Sequence, residues 1–172
     1  HLYVIPAYGI YNGAETAAVY QGPAFWIQKA VLEEAGYPEV KTLDQYFELI
    51  ENYKEKHPTI NGNATIGFDI LAVNGFEWML TTAPNYLNGN PNNGDFEVDD
   101  ETLEAHIYAD PDFSKRYFSR LSEEYEKDII VPESFTQNKE QYLAKIATGC
   151  VLGMFDQHWV FQPAEQSLGT QG

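Results

Sequence analysis

With 172 residues the chain has room for one hydrophobic core and an appendage, not for two full domains. Its formal net charge of −16, from 26 acidic against 10 basic residues, excludes nucleic acid and anionic membrane surfaces as partners, because both require clustered Lys and Arg. Hydrophobic residues at 44% with charged residues at 21% place it among ordinary globular chains, though one unusually rich in Tyr.

Leu2 to Ile5 is a short β-prone run that stops at Pro6. The opening residues already read as the middle of a fold, so the chain is expected to be part of a longer one. Residues up to Gly22, with Gly9, Asn12-Gly13 and several tyrosines, suit an irregular connection. Pro23 stands where a first helical turn tolerates it. The stripe Ile27, Ala30, Val31 and Ala35 then predicts a helix ended by Gly36 and Pro38. Thr42 with Gln45 makes a capping box for a second helix. Leu43, Tyr46, Phe47, Ile50 and Tyr53 form its stripe, Lys54 and Lys56 suit its C-terminal dipole, and His57-Pro58 closes it.

Asn61-Gly62 marks a turn before a mostly apolar strand over Ile66 to Val73, in which Asp69 is a candidate buried acid. A helix is predicted over Phe76 to Leu87, interrupted by Pro84, and followed by a Gly/Asn loop over Asn88 to Asp95. Phe96 to Val98 and Leu103 to Tyr108 alternate in polarity, as a solvent-facing hairpin does. Asp110-Pro111-Asp112 supplies a cap, a first-turn proline and an acid for a helix with stripe Phe113, Tyr117, Leu121 and Tyr125.

Tyr142, Leu143, Ile146 and Ala147 recur at helical spacing, and Gly149 follows as a C′ residue. Cys150 to Phe155 is an apolar run without helical period, the pattern of a strand buried in a parallel sheet. Cys150, the only cysteine, excludes an internal disulfide and leaves the redox compartment undetermined. Asp156, Gln157, His158 and Trp159 stand where that strand should end. Carboxyl ends of parallel strands are where open α/β sheets bind ligands. An indole there is either a seal on the edge of the core or a flat platform, with one donor, for a sugar ring. The tail beyond Pro163 reads as polar and frayed.

The chemistry of an enzyme is thin in this chain. It carries no nucleophile elbow, no glycine-rich phosphate loop, and no metal-ligand spacing among His1, His57, His106 and His158. No metal or cofactor is therefore expected. The Asn92 to Asp100 segment lacks calcium-loop spacing, and Asn63-Ala64-Thr65 matches a glycosylation sequon. Glu77 and Asp156 could serve as a pair of glycosidase carboxylates, but nothing in the sequence fixes their separation. No apolar run approaches membrane-spanning length, and no signal peptide opens the chain.

Taken in order, three stretches resemble the extracellular solute-binding proteins of ABC importers, the family that includes maltose-binding protein. Leu2-Tyr3-Val4-Ile5-Pro6 is similar to the strand that crosses between lobes. Phe25 to Pro38 and Val40 to Tyr46 resemble the family's Tyr-Asn-Lys helix and the Pro-x-Thr-Trp start that follows, with Leu43 in place of the Trp. Tyr142 to Trp159 resembles its helix, buried strand and Gly-x-Trp signature, with Gln157-His158 replacing the usual small residues.

The resemblance implies an α/β fold, a type II periplasmic-binding-protein-like lobe with helices on a small, mostly parallel sheet and a β-hairpin. Residues 1–22 would be the inter-lobe strand and hinge connection, 23–163 the second lobe, and 164–172 a polar tail. It implies a small-molecule ligand, most naturally a sugar, and ABC permease subunits as partners. It also implies a first lobe and a lipoprotein signal upstream, and a place outside the cytoplasm or in the periplasm. The family's stacking role falls on Trp159, with Asp156, Gln157 and His158 beside it. The loop after the Ile66–Val73 strand, with Asn74, Phe76 and Trp78, falls near another ligand segment of the family. The rival readings are a peptide or amino-sugar ligand, held by the acids and His158, and a carbohydrate-active enzyme.

Overall fold

Thr42 caps the second helix as its sequence requires. Its hydroxyl accepts the Gln45 backbone N–H at 3.2 Å, and the Gln45 side chain reaches back to the Thr42 N–H. The computed structural model describes residues 23–88, 96–98, 102–107 and 111–169. In chain order the elements are β1 (Pro23–Ile27), α1 (Lys29–Glu34), α2 (Leu43–Lys56), β2 (Thr59–Ile60), β3 (Asn63–Ala64), β4 (Ile66–Asp69) and α3 (Glu77–Leu87). There follow β5 (Phe96–Val98), β6 (Ala105–Ile107), α4 (Pro111–Glu126), a 3-10 turn (Pro132–Phe135), α5 (Lys139–Ala147), β7 (Val151–Gln157) and α6 (His158–Gly169). The expected strand at Leu2 to Ile5, the hinge connection over 1–22 and most of the Gly/Asn loop lie outside the described residues.

The chain is α/β, and its main sheet is mixed rather than mostly parallel. β7 is the central strand, with β4 parallel on one side and β1 antiparallel on the other. Beyond β4, Ile130 bridges Phe68 in the parallel sense. Two hairpins stand apart from this sheet, β2–β3 and β5–β6. Asn61 and Gly62 join the first, both at positive φ (53° and 79°), as a tight two-residue turn requires.

Pro23 opens a strand, not a helix. A proline at the first position of a strand with one neighbour forfeits no ladder bond, and Phe25, Trp26 and Ile27 are strand formers. The ring of Phe25 packs 4.8 Å from Phe155 across the pair. Gln28 then fastens the strand end by donating from Nε2 to the carbonyls of Gly149 and Val151, each at 2.7 Å. The helix is thereby confined to Lys29–Glu34.

Helix α2 covers one face of the sheet. Phe47 lies 5.2 Å from Phe68, Tyr46 packs edge-on to both, and Gly153 of β7 leaves the space that Tyr46 and Ile50 fill. Helices α5 and α6 cover the other face, where Tyr142, Val160 and Phe161 are buried. Helix α4 buries Tyr117 and Leu121, as its stripe predicts, while Tyr125 is exposed and packs on Phe135. Arg120 of α4 pairs with Glu51 of α2 at 3.0 Å and with the buried Glu124 at 2.9 Å.

The tail beyond Pro163 is helical through Gly169, contrary to the sequence expectation of fraying. Val160, Phe161 and Ala164 are buried, and Leu168 continues the same i, i+4 face. That burial outweighs the hydrogen bond Pro163 cannot make.

Candidate functional site

Two aspartates terminate the adjacent parallel strands, and neither exposes any surface. Asp69 is the last residue of β4 and ends it. Its Oδ1 accepts the Ile70 backbone N–H at 3.0 Å, a donor that would otherwise continue the ladder. The same oxygen accepts from Ser134 Oγ at 2.6 Å and from Gln137 Nε2 at 2.8 Å. Lys145 of α5 brings its ammonium to 2.9 Å from Oδ2. The approach is off the hydrogen-bonding direction, and neither atom has another partner among the described residues, so this is an ion pair more than a hydrogen bond.

Asp156, the next to last residue of β7, accepts from its neighbour Gln157 N–H at 2.6 Å and from the Tyr142 hydroxyl at 2.8 Å. Burial pushes its carboxyl up to about 7, against the pull of those two hydrogen bonds and of the Lys139 charge. The same burial, with Asp156 beside it, drives the Tyr142 hydroxyl well above the usual phenol range. The Asp156 carbonyl accepts the indole N–H of Trp26 at 2.8 Å, which ties β1 to the same end of β7.

Above this frame lies an aromatic surface with one cation. Trp159, in the first turn of α6, is 52% exposed. The Lys139 ammonium, at the first position of α5, lies 5.5 Å from the Trp159 ring centroid and 5.5 Å from that of Phe76. Both distances are within cation–π range. Trp159 Nε1 donates to the Gln157 side-chain oxygen, which orients the indole.

Of the residues the sequence marks as site candidates, the structure therefore brings Trp159, Gln157 and Phe76 to one surface. Asp156 lies within the protein, as a support. His158 turns away: its Nε2 pairs with Glu165 at 2.8 Å and its ring packs against Trp26 and Phe161. Trp78 is partly buried against the core, and its carbonyl accepts the Thr82 hydroxyl at 2.7 Å. Asn74 is exposed at φ 56° in a turn with Gly75. Glu77 accepts the Gly75 N–H at 2.9 Å at the start of α3 and makes no hydrogen bond with Asp156.

Lys139 escaped the sequence reading altogether. Its signal is the capping box Asn138-Lys139-Glu140-Gln141, closed in the structure by two 2.9 Å bonds, which fixes where α5 begins. Among the described residues no three His, Cys, Asp or Glu side chains gather as metal ligands. A cavity of about 170 Å³ lies between β1, β7 and α6, lined by Trp26, Met154, Phe161 and Leu168, but Trp159 and Asp156 do not line it. No protein-family model and no curated protein matches the chain.

Proposed function

We propose that the chain is the second, type II periplasmic-binding-protein-like lobe of an extracellular solute-binding protein. In this reading it is non-catalytic, holds a carbohydrate, and hands it to an ABC permease with the help of a first lobe encoded upstream. The observation that carries the reading is the half-exposed Trp159 indole at the carboxyl end of β7, with Phe76 and Lys139 beside it. An exposed indole on a packed strand end is a preorganised stacking surface, which lowers the ordering cost of binding. Its position past the carboxyl end of a strand in the parallel β4–β7 pair supports the reading, because α/β sheets commonly hold ligands at such ends. The amino-sugar or peptide alternative has less support, since Asp156 is enclosed and His158 is engaged by Glu165.

The test is an NMR titration of the ¹⁵N-labelled chain with neutral oligosaccharides, following the three Trp indole N–H resonances. The Trp159 resonance is expected to move with an affinity of about millimolar, because stacking on one open lobe adds only about 0.5–1.5 kcal/mol beyond area burial. In Trp159→Ala the sugar-induced shifts of the backbone amides around Gln157 and Lys139, present in the wild type, should disappear while the fold stays intact. Shifts at Trp26 or Trp78 with Trp159 unmoved would refute the assignment.

A further inference from the structure

Resting on the carbohydrate reading above, we propose that the site selects an acidic saccharide, its carboxylate paired with Lys139 while a sugar ring stacks on Trp159. The chain has only 10 basic residues against 26 acids, and its described cations are largely committed to protein carboxylates. Lys29 pairs with Glu33, Lys41 with Glu39, Lys56 with Glu34, Lys127 and Arg120 with Glu51 and Glu124, and Lys145 with Asp69. Lys54 gives its ammonium to the Asp128 backbone carbonyl. Lys139 differs from these in its surroundings: among the described residues it has no carboxylate within ion-pair distance, and its ammonium lies over two aromatic rings. Asp156 feels its charge but is enclosed, with its oxygens taken by Tyr142 and Gln157.

An unpaired ammonium in an acidic protein, held over Phe76 and one face of the half-exposed Trp159 indole, has donors left for a ligand stacked on that indole. A carboxylate there converts a cation–π contact into a charge-assisted hydrogen bond in partly dry surroundings, where such a bond is stronger than in water. A ligand ammonium would meet like charge, with no exposed carboxylate of Asp156 to offset it. A neutral sugar would stack equally well but offer the Lys139 donors only hydroxyl oxygens, weaker acceptors than a carboxylate. The overall charge of −16 repels an anion at long range, but salt screens that field beyond about 8 Å and leaves the contact pair intact.

The experiment titrates the labelled chain with a panel of neutral disaccharides, the same sugars oxidised at one C6 to the uronic acid, and their amino-sugar counterparts. Trp159 indole shifts give the affinities. The uronate forms are expected to bind about 3- to 10-fold tighter than their neutral partners, the range between an exposed ion pair and a charge-assisted bond. Lys139→Gln should erase the uronate-to-neutral ratio whatever it does to the neutral affinity itself, and Lys139→Arg should retain the ratio. Equal or weaker binding of the uronates, or an unchanged ratio in Lys139→Gln, overturns the inference and leaves the carbohydrate reading standing. Tightest binding of the amino sugars overturns it in favour of an ammonium ligand. If no sugar moves Trp159, the carbohydrate reading fails and this inference with it.

Discussion

Replacing Asp156 by Asn should leave stability little changed at low pH and raise it progressively as pH rises. The carboxyl ionises at about 7 in the folded chain against an ordinary 3.8, because burial disfavours its charge more than Tyr142, the Gln157 N–H and Lys139 favour it. Between those values the folded state holds a proton that the unfolded chain has released. The neutral acid thus favours the fold at low pH, and that stability is lost as pH rises through about 7. About three pH units at about 1.4 kcal/mol each set the loss at about 4 kcal/mol at most. Asn mimics the protonated acid: its amide can donate to the Tyr142 oxygen, whose own hydrogen can turn to Met154 Sδ at 3.2 Å. Urea unfolding of both proteins from pH 4 to pH 8 measures the difference. The exposed Glu33 and Glu34 carboxyls, which are held low by Lys29 and Lys56, titrate alike in both and cancel. The variant should gain on the wild type as pH rises, with the gain levelling off above 7. A difference that stays flat to within about 0.5 kcal/mol would show that water reaches the carboxylate, and the argument would be wrong.

Gly153→Ala should cost about 1–3 kcal/mol in the same urea assay, because a Cβ there would meet the Tyr46 hydroxyl and lie 2.6 Å from Ile50 Cδ1. Lys145→Met should cost about 3–5 kcal/mol by leaving Asp69 buried without its cation. Adding Asp69→Asn to Lys145→Met should recover part of that loss, and a double-mutant cycle with no coupling would refute the ion pair.

Local signals were legible in the sequence where they did not depend on distant partners. The Thr42–Gln45 box, the α2 stripe and His57-Pro58 all act within one helix, and the structure contains them residue for residue. Asn61-Gly62 carried its hairpin turn, and Gly149, at φ 76°, ends α5 one residue past its cap. β1 was misread because its identity is decided far away. Trp26 bonds to a carbonyl 130 residues on, while the local 3.6-residue stripe and Pro23 favour a helix. The place of Trp159 just past the end of β7 was legible because a buried strand announces its own end. Lys139 was not, since nothing local says that Phe76, on a loop 63 positions earlier, will lie beneath its ammonium. His158 looked like a strand-end site residue, but it begins a helix, and helical geometry turns it toward Glu165 instead of the surface that Trp159 forms.

On the proposed reading, the two buried aspartates are what would make a single exposed indole and a lysine a defined site. Asp69 and Asp156 end neighbouring parallel strands, and α5 with the residues leading into it holds both: Ser134, Gln137 and Lys145 on the first, Tyr142 on the second. Lys139 begins that same helix, and its backbone position is set by the Asn138–Gln141 box. The ammonium is therefore positioned by contacts that reach two strands, while Trp159 is positioned by the end of one of those strands. Buried charges are a costly way to hold elements together, and hydrophobic replacements often serve stability as well or better. What polar clamps add is direction, because each hydrogen bond accepts one geometry where an apolar contact accepts many. That cost would be reasonable where the distance between a cation and a stacking face must be kept, and it falls here at the strand ends beneath the candidate surface.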